Sequence, residues 1–364
     1  MHLPDGYLSP ASCAALTAGV IPAWVVAARR LRTRLGTREV PELALGAAFS
    51  FVIMMFNVPA PGGTTGHAVG AGLVAILAGP AAAIVSTTVA LAIQALVFGD
   101  GGLLALGANC FNMALLLPLT TYALYRVLAG EPAAGAGVAA GVGAGDGAGI
   151  GRRAVAAGVA AYVGLNVAAL ATAVELGLQP LLAHDAAGAP LYCPFGLGVA
   201  VPAMLLPHLI VFGVVEGAVT ASVVGWALRS GLATGPEQAL TRSRPLWVGL
   251  ALLCLATPLG LLAAGEAWGE WDAAGVAERT GGAVPAGMRS LLELWGGLLP
   301  DYAVTGWDSG PRAVAVYVLS ALLGGGLVVG IAWVATRLLA ARAQGGLATG
   351  GPAVSAEPPD APAA

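Results

Sequence analysis

The sequence has no lysine, so its 16 basic residues are all arginine, and with 19 acidic residues only 10% of the chain is charged. Soluble domains carry about 25%, and a 364-residue chain cannot present a water-facing surface with so few. The net charge of −3 provides no basic face for nucleic acid. Without lysine there is no GxxxxGK[ST] phosphate loop, which excludes ATP hydrolysis by that device. The four cysteines, Cys13, Cys110, Cys193 and Cys254, form no CxxC pair and imply no disulfide framework. What the chain does have is apolar: 58% hydrophobic residues and 54 glycines, with a mean hydropathy of +0.84. Disorder needs low hydrophobicity, so it is excluded too. The composition describes an all-α integral membrane protein.

A helix crosses a bilayer in roughly 20 apolar residues. That length predicts about nine transmembrane helices, over 11–30, 42–58, 68–81, 82–98, 103–128, 153–178, 197–227, 246–264 and 313–339. The third and fourth share one run broken only by Gly79-Pro80, which fits a tight hairpin or a re-entrant segment. Arginines set the sidedness. Arg29, Arg30, Arg32, Arg34, Arg38, Arg126, Arg152, Arg153, Arg229, Arg242, Arg244, Arg337 and Arg342 all fall on one side, which is 13 of the 16. The expected topology is a multi-pass membrane protein, N-terminus extracellular and C-terminus cytoplasmic.

Residues 1–230 read as one membrane domain, with 131–151 as a flexible Gly/Ala linker. Residues 231–245 read as a cytoplasmic linker and 246–340 as a two-helix domain with an external loop at 265–312. Trp268, Trp271, Trp295 and Trp307 suit a loop resting on the membrane surface. Residues 341–364 read as a disordered cytoplasmic tail.

The chemistry concentrates in four histidines, His2, His67, His184 and His208. The first ten residues, MHLPDGYLSP, lack the features of a signal peptide, and a side chain as large as His2 favours retention of Met1. The Met1 amine, the His2 backbone nitrogen and the His2 imidazole Nδ1 then close a five-membered and a six-membered chelate ring. Such a planar nitrogen set suits Ni(II) or Cu(II). His67, in the glycine-rich loop PAPGGTTGHAVG at the same outer end, is the natural fourth ligand, with Gly63, Thr64, Thr65 and Gly66 supporting it. An ordinary interfacial histidine is the alternative. His208 and Glu216 share a helix face within the seventh span. With Glu175 they fit a proton relay, a transfer path, an intramembrane metalloenzyme site or plain helix–helix contacts. His184, beside Asp185, reads as solvated.

Three separated motifs, MHLPDGYLSP, GGTTGHAVG and FGDGGLLALGANCFNMAL, together resemble the CbiM/NikM family over residues 1–230. These are the substrate-specific components of energy-coupling-factor (ECF) transporters for cobalt and nickel. GEAWGEW, VPAGMRSLLELW and LPDYAVTGW resemble a fused CbiN/NikN-type (PDGLE-like) component, although a literal PDGLE string is absent. The resemblance implies a seven-helix bundle plus a C-terminal two-helix unit. It implies Co(II) or Ni(II) as transported substrate, no prosthetic group and no enzymatic activity of its own. Met1, His2 and His67 would be the metal ligands. The implied partners are a transmembrane coupling component of the CbiQ/NikQ type and a cytoplasmic ATPase pair of the CbiO/NikO type. Ala44 and Ala48 form the kind of small-residue pair such components use for docking.

Overall fold

The computed structural model describes residues 1–34, 39–130, 147–230, 244–263, 265–307 and 309–348. Helix α1 (Pro10–Arg34) and α2 (Glu39–Met54) precede a two-stranded antiparallel hairpin, β1 (Val58–Ala60) and β2 (Thr64–Gly66). Helices α3 (Ala71–Ala78), α4 (Pro80–Ile93), α5 (Leu106–Asn109), α6 (Leu117–Ala129), α7 (Gly147–Gly177) and α8 (Gln179–Leu182) follow. Helices α9 (Leu197–Pro207) and α10 (Gly213–Arg229) complete the first block. The C-terminal block comprises α11 (Arg244–Ala256), α12 (Ala273–Arg279), α13 (Ala286–Leu292) and α14 (Gly310–Ala348).

Among the described residues, seven helical segments are long and apolar enough to cross a membrane. Each of the nine expected spans contains a helix, but two fall short. The apolar part of α2 covers only Leu43–Met54, and α3 has eight residues. Eight residues rise about 12 Å, against an apolar thickness of about 30 Å. Gly79, at φ +90°, ends α3, and Pro80 opens α4, so the run from 68 to 98 holds one long span preceded by a short helix. The chain before α3 is taken up by the hairpin and the His67 loop.

Helix α7 is central, packing on α6, α9 and α10. A Cβ on Gly158 would sit 2.8 Å from the Gly217 carbonyl, so these two glycines let α7 and α10 touch backbone to backbone. Ala44 and Ala48, expected on a docking surface, are buried inside the chain, because α2 packs on α14 and α4. Helix α14 continues to Ala348, so the disordered tail expected from 341 does not begin there; residues 349–364 lie outside those described. The expected linkers fall largely outside them as well, except that Gly147–Gly151 opens α7 and Arg244 opens α11. All four cysteines are free and buried.

Three spans carry a π-helical insert: Gln94–Phe98, Cys110–Leu116 and His208–Phe212. Pro207 directly precedes the last of these, removing a backbone donor where the helix rewinds. Such inserts redirect side chains. Here they bring Gln94, Asn112 and His208 into the buried interior.

Candidate metal centre

The first nine residues are a buried segment, not a free end. Met1, His2, Leu3, Asp5, Tyr7 and Leu8 are all buried. Asn109 clamps the backbone of Leu3 from both sides: its Oδ1 accepts from Leu3 N at 2.8 Å, and its Nδ2 donates to Leu3 O at 3.1 Å. Gly102 N also donates to Leu3 O, at 2.8 Å. The Asp5 carboxylate accepts from the backbone N–H groups of Leu103, Leu104 and Ala105, capping the turn that leads into α5. Burial pushes the Asp5 carboxyl up, and these three bonds pull it back down in part. A Cβ on Gly102 would overlap the Asp5 carboxylate, so only glycine allows this approach. Farther along, Tyr7 donates through its hydroxyl to Trp271 O at 2.8 Å, and burial raises the phenol well above its usual range.

This clamp delivers His2 to His67. The two rings stand 5.0 Å apart between centroids, and His67 Nε2 lies 3.3 Å from His2 Nδ1. His67 Nδ1 is 3.1 Å from Ala68 O. A carbonyl can only accept, so Nδ1 carries the proton and Nε2 keeps its lone pair facing His2. Burial first, then the neighbouring His2 and the Met1 amine, push the His67 imidazole well below its ordinary value. It is therefore neutral, as a metal ligand must be. His2 Nδ1 also lies 3.0 Å from Asp100 Oδ1, and the Met1 amine donates to Glu270 Oε1 at 2.9 Å. With metal–nitrogen bonds of about 2.0–2.1 Å, one ion reaches both ring nitrogens. Two facing imidazole nitrogens would suit a divalent late metal.

The loop residues divide the work differently from the expectation. Thr64 Oγ1 accepts from Trp268 N at 2.9 Å and Thr65 is buried, yet the partner that orients His67 is the Ala68 carbonyl. Gly63, at φ +79°, makes the hairpin turn. Gly66 leaves room for Phe212, whose ring a Cβ would meet at 2.5 Å. Phe212 in turn packs edge-on against His208.

Glu216, Glu175 and His208 form no single constellation. Glu216 accepts from Val69 N at 2.8 Å and Gly70 N at 3.0 Å, so its carboxylate caps α3 directly after His67. Glu175 accepts from Asn112 at 2.7 Å. His208 Nδ1 bonds Met204 O within its own helix, at 2.7 Å. Three separate partners contradict the enzyme-site reading and assign Glu216 to shaping the His67 loop. His184 is exposed beside Asp185, as its surroundings predict. Trp271 is buried and Trp268 half-buried; Trp271 stands edge-on to Phe195 and to Trp268, and Trp268 is tilted against Phe195. Trp295 and Trp307 are the exposed pair, so only half of the expected surface belt is found.

Asp100 and Asp5 escaped the sequence reading. Both lie within the motifs quoted for the resemblance, but nothing local marks an acceptor whose partner is about a hundred residues away. The family description "cobalt uptake substrate-specific transmembrane region" matches residues 2–231. The chain belongs to this CbiM family. A PDGLE domain matches residues 243–341. The fused nickel transport protein NikMN of Rhodobacter capsulatus is 47% identical, over 90% of this chain and 95% of its own. The probable fused nickel transport protein LarMN of Lactiplantibacillus plantarum is 42% identical, over 88% and 93%. A solved structure described as a truncated transition metal transporter is 49% identical with a TM-score of 0.56, covering 63% of this chain and 99% of its own. The CbiM-type block thus carries every histidine of the chain.

Proposed function

We propose that this chain is the substrate-binding membrane subunit of an energy-coupling-factor transporter that imports Ni(II) or Co(II). The ion is captured from the extracellular side by the Met1 amine, the His2 backbone nitrogen, His2 Nδ1 and His67 Nε2. The observation that carries the reading is the buried pair of ring nitrogens 3.3 Å apart, next to an amine anchored by Glu270. Metal binding strips the amine, amide and imidazole of protons, so affinity falls in acid. Nickel is the first candidate ion. The relatives sharing the fused layout over most of their length are described as nickel transport proteins. Those described as cobalt transport proteins match little more than a third of the chain. Energy comes from a transmembrane coupling component and a cytoplasmic ATPase pair, since the chain has no lysine for a phosphate loop. The chain sits in the prokaryotic cytoplasmic membrane with its arginine-rich helix ends inside.

One added residue tests this. A glycine placed before Met1 moves the amine out of the chelate and leaves the bundle intact. Nickel binding, measured by titration of the purified chain, is expected to fall by more than about 100-fold, with uptake into cells lost. Wild-type affinity and uptake in the extended chain would sink the proposal. His67→Ala is the companion variant, and unchanged affinity there would remove His67 from the ligand set.

A further inference from the structure

One buried histidine of the CbiM-type block has no part in the ligand set, yet it sits beside it. His208 opens the π-helical insert His208–Phe212 directly after Pro207, and inserts of this kind recur where a helix carries function. The residue is only 4% exposed. Its Nδ1 is tied to Met204 O at 2.7 Å. A carbonyl only accepts, so Nδ1 carries the proton and Nε2 keeps a lone pair. Among the described residues no hydrogen bond reaches that Nε2. His208 lines a cavity of about 10 Å³ whose wall also includes Met1, Thr65 and Phe212, which is room for about one water molecule or one bare ion. Phe212, edge-on to His208 at 5.0 Å, packs on Gly66, the neighbour of His67. Thr64 and Trp268 line both this chamber and a wider cavity of about 270 Å³. A buried imidazole with a free lone pair thus lines a one-ion chamber that borders both the wider cavity and Met1.

We propose that His208 Nε2 is a staging ligand for the divalent cation: it takes the ion out of water in the small chamber, then passes it to the chelate. The wider cavity has room for an ion with waters around it and the chamber does not, so an ion moving inward sheds water at the boundary. A buried charge without a partner is costly, and an imidazole nitrogen replaces a lost water well on a late metal. Nε2 is also ready to bind, because its lone pair is already free. The Met1 amine and the His2 amide must each lose a proton before they ligate. An ion held by His208 waits beside Met1 while those protons leave to water.

The inference rests on the capture site proposed above, and the two fail differently. Ni(II) is mixed rapidly with the purified full-length chain, and association and dissociation rates are read alongside equilibrium affinity. His208→Asn keeps an amide donor for Met204 O and removes Nε2. Ala203→Leu fills the chamber, which Ala203 also lines. A ligand used only in passage lowers a barrier and leaves both end states alone. Each variant should therefore slow association by about 10-fold and dissociation by the same factor, with affinity kept at the wild-type value. A structural role would instead weaken affinity and speed release. Wild-type rates in His208→Asn, or a loss of affinity without slower dissociation, would overturn the inference. Ala203→Leu leaves His208 intact and serves alone if His208→Asn does not accumulate; unchanged rates there overturn the inference equally. A glycine-extended chain that binds Ni(II) as tightly as wild type would sink the ligand set instead.

Discussion

Two stretches of this chain converge on one place and are held there by opposite means. Residues 1–9 are buried almost throughout, and backbone groups do much of the holding: Asn109 grips Leu3, and Gln179 accepts from Ser9 N at 2.9 Å. The segment 265–307 is largely open to its surroundings, with Leu298 at 69% exposed, and touches the centre through a few side chains. The first stretch brings the proposed ligand atoms and is fixed by groups with no freedom. The second brings Glu270 and Tyr302 and is fixed at its base by α14. Ligand position needs rigidity of a few tenths of an ångström, and only a packed, fully bonded backbone gives that. The covering loop need only arrive.

If that contrast is right, damage to the clamp outweighs damage to the cover. Asn109→Leu leaves the Leu3 N–H buried without a partner, while Leu3 O keeps only Gly102 N; the two lost bonds cost roughly 2–4 kcal/mol. It should lower the melting temperature and weaken nickel binding by about 10–100-fold; a stable variant with normal affinity would break the comparison. Next in size is Glu216→Gln. It replaces a charged acceptor shared by Val69 N and Gly70 N, and a hydrogen bond to a charged group contributes about 1.5–3 kcal/mol. The His67 loop should then exchange its amide hydrogens faster while residues 1–9 stay protected. Glu270→Gln should matter least among the substitutions, by under about 1 kcal/mol, because that ion pair is partly exposed and screened. A large loss there would mean that the cover supplies binding as well as closure.

The smallest effect sharpens the electrostatics. His67 in the folded chain binds its proton far less readily than the ordinary value of about 6.5. Below that pH the unfolded chain takes up a proton that the folded chain refuses. The contribution of His67 to stability is therefore intact above about pH 6.5 and declines as the pH falls below it. Thermal unfolding without metal should show a declining acid limb that His67→Gln makes shallower. An identical limb in both would show that His67 is not held neutral by its surroundings.

The spans were legible because bilayer length and hydropathy act locally, and the break at Gly79-Pro80 was visible for the same reason. The meeting of His2 and His67 was legible because imidazoles are rare in so apolar a chain. Asp100 and Tyr302 were not, since neither makes sense without the other and they lie 202 residues apart. Glu216 was visible as an intramembrane carboxylate, but its role depended on where a loop 146 residues earlier would end. The buried tryptophans were misplaced because indole suits both a membrane surface and a lid, and only packing on Phe195 separates the two.

The buried opening segment also orders events during synthesis. Leu3 waits for Asn109, Ser9 for Gln179, and Tyr7 for Trp271, partners separated by 106, 170 and 264 residues. Residues made first are thus seated late, after nearly three quarters of the chain has been translated. Until then the amine and His2 remain outside their slot, and a half-made bundle exposes an unfilled cleft. Docking of that short segment is a late step of maturation, and a chain that stalls before residue 271 should be selectively sensitive to proteases that trim from the amino end.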